Sequence, residues 1–122
     1  MENKRKTGSR YEECAAAFLE ERGICILERN FRCRQGEIDL IGREENTIVF
    51  FEVKYRKTNS WGNPAEAVDT RKQCRISRAA DVYRKRENLY GDISFRFDVI
   101  AILAGEITWY RNAFEYKGRT FV

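Results

Sequence analysis

Within residues 36–56, four charged side chains stand among the apolar residues of two strand-like segments. They are Glu37, Asp39, Glu52 and Lys54, and their neighbours are mostly isoleucine, valine and phenylalanine. Carboxylate oxygens are the ligands that Mg²⁺ and Mn²⁺ prefer, and a lysine can transfer a proton or balance the charge of an anion. These four residues are therefore the first candidates for chemistry in this chain.

The spacing of these residues predicts that they converge. The stretch reads as two strands joined by a turn at residues 42–46, and side chains two positions apart share a face of a strand. A symmetric turn places Asp39 opposite Glu52 and Glu37 opposite Lys54, with all four on one face. Nearer to the turn, the same register pairs two apolar residues, Ile41 and Phe50. The other face is predicted to be apolar throughout: Ile38, Leu40, Val49, Phe51, Val53 and Tyr55.

Two interpretations of the charged face are open. Salt pairing across a solvated face is common and accounts for Glu37 with Lys54. It does not account for Asp39 opposite Glu52, because like charges directly opposite each other destabilise a sheet. A cation between the two carboxylates would remove the repulsion, and without it one of their pKa values should rise. The sequence therefore favours a cation site here.

A first helix is predicted to begin at an N-cap, Ser9, and to end near Arg22, before Gly23. On this helix Glu12 lies at the edge of the buried stripe, whereas Glu13 points to solvent. A helix packed on the charged face would deliver Glu12 to the site, although an ordinary glutamate at a helix boundary explains the same position. The stripe itself consists of Tyr11, Cys14, Ala15, Phe18 and Leu19.

A second helix is predicted over residues 71–87, opened by a capping box of Thr70 and Gln73. Lys72 is in line with its apolar stripe, so it must either extend out to solvent or meet a negative group. The apolar stripe is Ile76, Ala79, Ala80 and Tyr83. A separate basic stripe, of a kind that is usually solvated, is Arg71, Arg75, Arg78, Lys85 and Arg86.

The composition excludes several kinds of site. The 122 residues contain no histidine, which removes Ser-His and Cys-His nucleophiles and the histidine general base. The four cysteines form no CxxC pair and are expected to be reduced, buried thiols: Cys14, Cys25, Cys33 and Cys74. No zinc, haem or nucleotide is therefore expected, and any metal should be bound by oxygen.

The net charge of +4 is concentrated in one segment. Residues 71–87 contain seven basic and two acidic side chains, an excess of +5. Alone this is weak support for a nucleic-acid partner. No apolar run approaches the roughly 20 residues that span a bilayer, and no apolar segment follows the basic start. A cytoplasmic protein without membrane contact is expected.

The element order is predicted as helix, three strands, helix, two strands. Short turns make the first three strands antiparallel, and the second helix crosses over to the fourth, which gives an α/β (α+β) fold with a mixed sheet flanked by helices. Residues 1–8 are expected to form a flexible basic arm and residues 9–122 a single domain. In the fourth strand, Arg96 and Asp98 share a face and are predicted to form a structural ion pair.

The acidic residues and their spacing resemble a known family. "EIDLI" followed by "FFEVKYR", with Glu12 on a preceding helix, resembles the PD-(D/E)xK nuclease superfamily. The segments "EECAAAFLEERG", "ERNFRCRQGEIDLI", "VFFEVKYR", "WGNPAEAV", "RFDVIAI" and "NAF" are similar to the YraN-like UPF0102 family, from about residue 10 onward. One departure is Tyr11, which stands where the family usually has glycine. The family is also similar to archaeal Holliday-junction resolvases in its acidic residues.

The resemblance implies a restriction endonuclease-like α-β-β-β-α-β core and a role for each candidate. The catalytic residues would be Glu12, Asp39, Glu52 and Lys54. Mg²⁺ or Mn²⁺ would be held by Asp39, Glu52 and the Val53 carbonyl, with Glu12 on a second ion or its water. Phosphate contacts are expected from Arg56, Lys57, Lys72, Arg71 and Arg75. Glu37 would support Lys54.

The implied function is a metal-dependent endodeoxyribonuclease, selective for branched or junction-like DNA, with a place in DNA repair or recombination. DNA is favoured over RNA as partner. A homodimer is a further expectation, because resolvase-like cleavage of two strands needs two sites. The alternative is a nucleic-acid-binding module that keeps the nuclease fold with little or no cleavage.

Overall fold

The computed structural model describes residues 4–56 and 68–118, with side chains from residue 10 onward. These residues form two helices and five strands in the predicted order. In chain order they are α1 (Lys4–Glu21), β1 (Cys25–Cys33), β2 (Gly36–Glu44), β3 (Thr47–Arg56), α2 (Thr70–Arg86), β4 (Ser94–Leu103) and β5 (Glu106–Phe114). The order agrees with the α-β-β-β-α-β core that the family resemblance implies, followed by one more strand.

The five strands form one mixed sheet in the spatial order β1-β2-β3-β4-β5. Neighbouring strands are antiparallel except β3 and β4, which are parallel. Parallel pairing needs a long crossover connection, and the chain from β3 to β4 includes α2. The central strand, β3, is the segment richest in β-branched and aromatic residues, as a strand buried on both faces requires. The predicted mixed α+β fold is confirmed.

The two helices pack on opposite faces of the sheet, and the described residues form one hydrophobic core on each face. The α1-side core consists of Ala15, Ala16, Leu19, Ile24, Leu40, Val49, Phe51, Ile100 and Ile102. The α2-side core includes Phe31, Ile38, Ile41, Ile48, Phe50, Ile76, Ala79, Ala80, Tyr83, Phe97 and Val99. β3 contributes alternate residues to the two cores, which follows from the two-residue period of a strand.

Both helices differ from prediction at their N-termini. α1 begins at Lys4 and not at Ser9, so most of the expected basic arm is helical; the basic residues that open α1 are good helix formers. α2 is capped by Asp69, whose Oδ1 accepts a hydrogen bond from the Lys72 amide at 2.8 Å. Aspartate is as good an N-cap as threonine. The Gln73 side chain donates to the Val68 carbonyl at 2.7 Å and makes no capping box.

The cysteines are less buried than expected. All four are free, but Cys14 and Cys25 are exposed, and Cys33 and Cys74 are half-buried. On α1 the fully buried positions are Ala15, Ala16 and Leu19. The buried face of the helix therefore does not include Cys14. The prediction of buried thiols is therefore wrong.

The predicted ion pair in β4 is confirmed and is part of a larger network. Asp98 is fully buried and accepts hydrogen bonds from Arg96 Nε at 3.1 Å, Trp109 Nε1 at 2.9 Å and the Asn112 amide at 2.8 Å. Arg96 also contacts Glu44 at 3.1 Å. Buried charges of this kind are tolerated because each is paired and hydrogen-bonded.

Lys57, and the segment "WGNPAEAV" except its last residue, lie outside the described residues. Within the part of the chain that the structure describes, neither helix is long and apolar enough to cross a membrane.

Candidate active site

The charged cluster lies where the pairing of β2 with β3 ends. The pairs run from Glu44 with Thr47 to Leu40 with Phe51, and Ile41 lies opposite Phe50 as predicted. Beyond Leu40 a side chain takes over, because Asp39 Oδ2 accepts the Val53 amide at 2.8 Å. Asp39 thus satisfies a backbone donor that the neighbouring strand leaves without a partner.

A local irregularity accompanies this end of the ladder. Asn30 of β1 lies opposite Asp39, between the pairs formed by their neighbours, and has a left-handed φ of 52°. Ile38 packs in the same core as Ile41, on the α2 side. On a regular strand, residues three positions apart project from opposite faces. Ile38 and Ile41 project from the same face, so the alternation of side chains in β2 shifts by one residue near Asp39. The predicted grouping of Ile38 with Leu40 is therefore wrong, because it assumed a regular strand.

Glu52 is a buried carboxylate between two ammonium groups. Only 5% of its side chain is exposed. Lys72 Nζ lies 2.9 Å from Glu52 Oε1, and Lys54 Nζ lies 3.9 Å from the same oxygen. Of the two alternatives left open for Lys72, the structure has the second, in which the lysine meets a negative group. Such pairing is what a buried carboxylate requires.

The pKa of Asp39 is raised well above its ordinary value, mainly by burial and then by the charge of Glu52. The Val53 amide opposes this shift because it stabilises the ionised form. Two neighbouring carboxylates are thus present, one of them with the raised pKa that is expected when no cation separates them. A bound cation would favour the ionised form of Asp39.

The two lysines shift in opposite directions. Burial lowers the pKa of Lys54, and the charge of Glu52 opposes that shift only in part. For Lys72, burial would also lower the pKa, but the charge and the hydrogen bond of Glu52 outweigh it, so the pKa is raised. Lys54 is therefore the better proton carrier of the two, and Lys72 the more permanent cation.

Glu12 reaches the cluster from α1, and Glu13 does not. Glu12 is half-buried, whereas Glu13 is exposed. Burial raises the pKa of Glu12, while a hydrogen bond from the Asn30 side chain lowers it, and the charge of Glu37 raises it again. The distinction between the two glutamates agrees with the helical wheel. The expected route is wrong, because α1 packs on the face opposite to Glu52 and reaches Asp39 at the end of the ladder.

Asn30 is a candidate site residue that the sequence analysis did not identify. It adopts a positive φ and interacts with Glu12. Asparagine is one of the few residues other than glycine that tolerate this conformation. Its presence within a predicted strand, in the string "RNFR", was the available signal.

The predicted pairing of Glu37 with Lys54 is wrong. Glu37 lies directly opposite Arg32 in β1 and forms an ion pair with it at 3.3 Å, and both side chains are 62% exposed. The ladder between β2 and β3 has already ended at this level. Glu37 therefore stands beside the site as the partner of an arginine.

The predicted phosphate-binding residues separate into two groups. Arg71 and Arg75 are exposed on α2, the helix that carries Lys72. Arg56 is exposed at the end of β3, and its Nη1 donates to the Tyr55 carbonyl at 3.0 Å. Arg71 and Arg75 thus lie on the same helix as Lys72, whose side chain contacts Glu52.

The donor set fits a hard cation that retains water. Asp39 and Glu52 supply carboxylate oxygens, with Glu12 nearby. Among the described residues there is no group of three or more histidine, cysteine or acidic side chains positioned to hold a metal. Mg²⁺ is usually bound through one or two carboxylates together with waters and substrate phosphates. The carboxylate oxygens of Asp39 and Glu52 are of the ligand type that Mg²⁺ and Mn²⁺ prefer.

Comparison with known proteins gives a consistent family. Residues 11–102 match the family model described as "Uncharacterised protein family UPF0102". The chain is 46% identical over 113 residues to a UPF0102 protein of Photobacterium profundum, covering 90% of each chain. It is 44% identical to one of Lachnoclostridium phytofermentans, over 95% of this chain and 98% of that protein. A relative in Pelobacter propionicus is 52% identical over 81% of this chain and 71% of its own length. The chain therefore belongs to the UPF0102 family.

Proposed function

We propose that this protein is a metal-dependent nuclease that hydrolyses phosphodiester bonds. The observation that carries the proposal is the meeting of Asp39, Glu52 and Lys54 where the β2–β3 ladder ends. Two neighbouring carboxylates with a lysine beside them can hold a divalent ion and act on a phosphate. The resemblance to PD-(D/E)xK nucleases supports the same assignment.

Each residue would have its own task. Asp39 and Glu52 would hold Mg²⁺ or Mn²⁺, which when bound lowers the pKa of a coordinated water and offsets charge on the phosphate. Lys54 would orient the attacking water and accept its proton at Nζ, for which its lowered pKa suits it. Lys72 would bind the phosphate as a stable cation. Glu12 would complete the acidic cluster next to Asp39.

The favoured substrate is branched or junction-like DNA. The cations near the site are suited to phosphate contacts, which position a substrate without reading its sequence. The similarity to Holliday-junction resolvases supports DNA with a branched structure. Cleavage of both strands of a junction would then need a homodimer.

A second candidate function is a binding module that does not cleave. Lys72 Nζ already forms an ion pair with Glu52 Oε1 at 2.9 Å. The described residues contain no group of three metal ligands. A permanent internal cation would neutralise the carboxylate and keep a metal away. The protein would then bind nucleic acid through its cations alone.

The deciding experiment is a cleavage assay with branched, flapped and linear DNA and with RNA, in Mg²⁺, Mn²⁺ or EDTA. The variants are Asp39→Asn, which retains an oxygen for the Val53 amide, and Lys54→Met, which retains most of the buried stem. Glu12→Gln is compared with Glu13→Gln, a matched control on the next position of the same helix. We expect cleavage that needs metal and is lost in Asp39→Asn, Lys54→Met and Glu12→Gln but not in Glu13→Gln.

The outcomes separate the two candidates. Loss of about 10²- to 10⁴-fold in Lys54→Met is expected if its Nζ transfers a proton. Binding that weakens with salt, without cleavage under any metal, would establish the binding module. Cleavage that survives Asp39→Asn would place the chemistry elsewhere. No binding at all would exclude both functions.

A further inference from the structure

A groove of about 470 Å³ lies between the turn that joins β1 to β2 and the first half of α2. Three cationic side chains, Arg32, Lys72 and Arg75, and one carboxylate, Glu37, line it. Its net charge is thus positive. Ile76 and Cys33 add an apolar part to the lining, which makes the groove amphipathic.

The groove adjoins the candidate active site at two points. Lys72 lines it and also contacts Glu52 at 2.9 Å. Two further lining residues, Arg32 and Glu37, act electrostatically on Glu12. A ligand in the groove therefore lies close to both Glu52 and Glu12, the acidic residues that these side chains contact or influence.

The cations of the groove are not equally available. Arg32 is held by Glu37 at 3.3 Å, and Lys72 by Glu52. Arg75 is exposed and forms no ion pair within residues 10–56 and 68–118. A polyanion would therefore meet Arg75 first, and Glu37 would compete with it for Arg32.

The size of the groove indicates what it can hold. Its volume is in the range of about 300–1,000 Å³ that is typical of pockets for small ligands. A duplex, whose major groove alone is about 12 Å wide, is too large to be enclosed in this volume, whereas a short length of one strand is not. Positively charged grooves of this kind follow the backbone of single strands without sequence preference.

We propose that this groove binds the sugar–phosphate backbone of an unpaired DNA strand next to the phosphate that is cleaved. The proposal rests on the proposed nuclease function and makes its substrate more specific, because it requires a single-stranded segment beside the cut. Arg75, Arg32 and Lys72 contact the phosphates, and Glu37 restrains Arg32 until a phosphate replaces it.

Gly36 keeps the groove in this form. A Cβ at this position would lie 3.0 Å from the Arg75 carbonyl oxygen and 3.2 Å from the Arg75 Cβ. A side chain here would require α2 or the β1–β2 turn to shift by a few tenths of an ångström. The glycine of "GEIDL" thus allows the close approach that brings Arg75 and Arg32 to the same groove.

The test is a binding measurement in EDTA, where cleavage cannot interfere. A fluorescein-labelled oligothymidylate and a blunt duplex of the same length are titrated with the full chain at several salt concentrations, with anisotropy as the readout. We expect the single strand to bind more tightly. Arg75→Ala should weaken its binding about threefold to tenfold and reduce the salt slope by about 0.7. Glu37→Gln should tighten binding, a gain that misfolding cannot produce.

The matched control is Arg86→Ala, which removes the same charge from the far end of α2, where Arg86 pairs with Glu28. It should leave binding unchanged. Equal binding of duplex and single strand, or equal losses in Arg75→Ala and Arg86→Ala, would overturn the proposal. Single-strand binding through the groove without cleavage in Mg²⁺ would leave it standing and contradict only the nuclease function. Cleavage that is unaffected by Arg75→Ala would contradict only the groove.

Discussion

At the scale of single residues, Asp39 combines two tasks. One of its oxygens accepts the Val53 amide, and its charge faces Glu52 and Glu12. The first interaction replaces a missing ladder bond, and the second creates the repulsion that a cation would remove. A substitution can therefore separate the two tasks only if it keeps an oxygen and removes the charge.

Asp39→Asn is expected to stabilise the metal-free protein at neutral pH. The pKa of Asp39 is higher in the folded protein than its ordinary value of 3.8. The folded state then holds the proton more tightly than the unfolded chain, so stability falls as the pH rises from the ordinary value toward the raised one. Asparagine removes this loss. Urea unfolding in EDTA should give a higher free energy of unfolding for the variant at neutral pH, with a smaller difference below the ordinary pKa.

The opposite result for Asp39→Asn, a less stable variant at neutral pH in EDTA, would mean that the carboxylate stabilises the fold. Mg²⁺ provides the companion measurement. It should raise the melting temperature of the wild type and have little effect on the variant, because a ligand that binds only the folded state stabilises it.

Asn30 should respond to substitution according to backbone conformation. A backbone φ of 52° raises the conformational free energy of alanine but not that of glycine. Asn30→Ala should lower the free energy of unfolding by roughly 1 kcal/mol relative to Asn30→Gly. Both variants lack the amide that contacts Glu12, so the proposed nuclease activity should fall in both. Equal stability of the two variants would show that the conformation carries no strain.

At the scale of elements, Glu44 ties three strands together. From the end of β2 it contacts Arg96 of β4 at 3.1 Å and Arg111 of β5 at 2.9 Å. The hydrogen bond from Arg111 is the main cause of its lowered pKa, and Arg96 adds to it. This network lies at the turn end of the hairpin, away from the candidate active site, and is therefore structural.

Glu44→Gln should destabilise the protein in a pH-dependent way. The folded pKa is below the ordinary 4.5, so the stabilisation is present above pH 4.5 and is lost as the pH falls through the folded value. With 27% of the side chain exposed, we expect a loss of about 1 kcal/mol at neutral pH. Urea unfolding at neutral and acidic pH measures it. If the variant is still less stable than the wild type in acid, the loss of stability comes from packing and not from charge.

The elements also show which features a sequence can reveal. The hairpin register follows from the position of the turn, and the position of Lys72 follows from helical periodicity. Both depend only on near neighbours in the sequence. The partner of Glu37 and the face of Ile38 could not be found in this way. Both depend on the irregularity near Asn30 and on where the ladder ends, and these are set by three strands together.

At the scale of the whole molecule, β3 joins the two cores. Ile48 and Phe50 belong to the α2-side core, whereas Val49 and Phe51 belong to the α1-side core. Neither helix can leave its face without exposing residues of the same central strand. The two cores should therefore unfold together.

This coupling predicts similar effects of cavities in either core. Ile48→Val on the α2 side and Ile100→Val on the α1 side remove one buried methylene group each. Each should lower the free energy of unfolding by about 0.5–1.5 kcal/mol. Tryptophan fluorescence and far-UV circular dichroism should give coincident transitions for both variants. Separate transitions would show that one core can open alone.

The bond between Asp39 and Val53 also supplies an internal reporter. A main-chain amide that donates to a carboxylate feels the protonation of that carboxylate directly. The Val53 resonance in a ¹⁵N-edited spectrum should therefore follow the titration of Asp39, and it should move again when a divalent ion or a phosphate arrives. Occupancy of the site can thus be followed at a single amide, without turnover of a substrate.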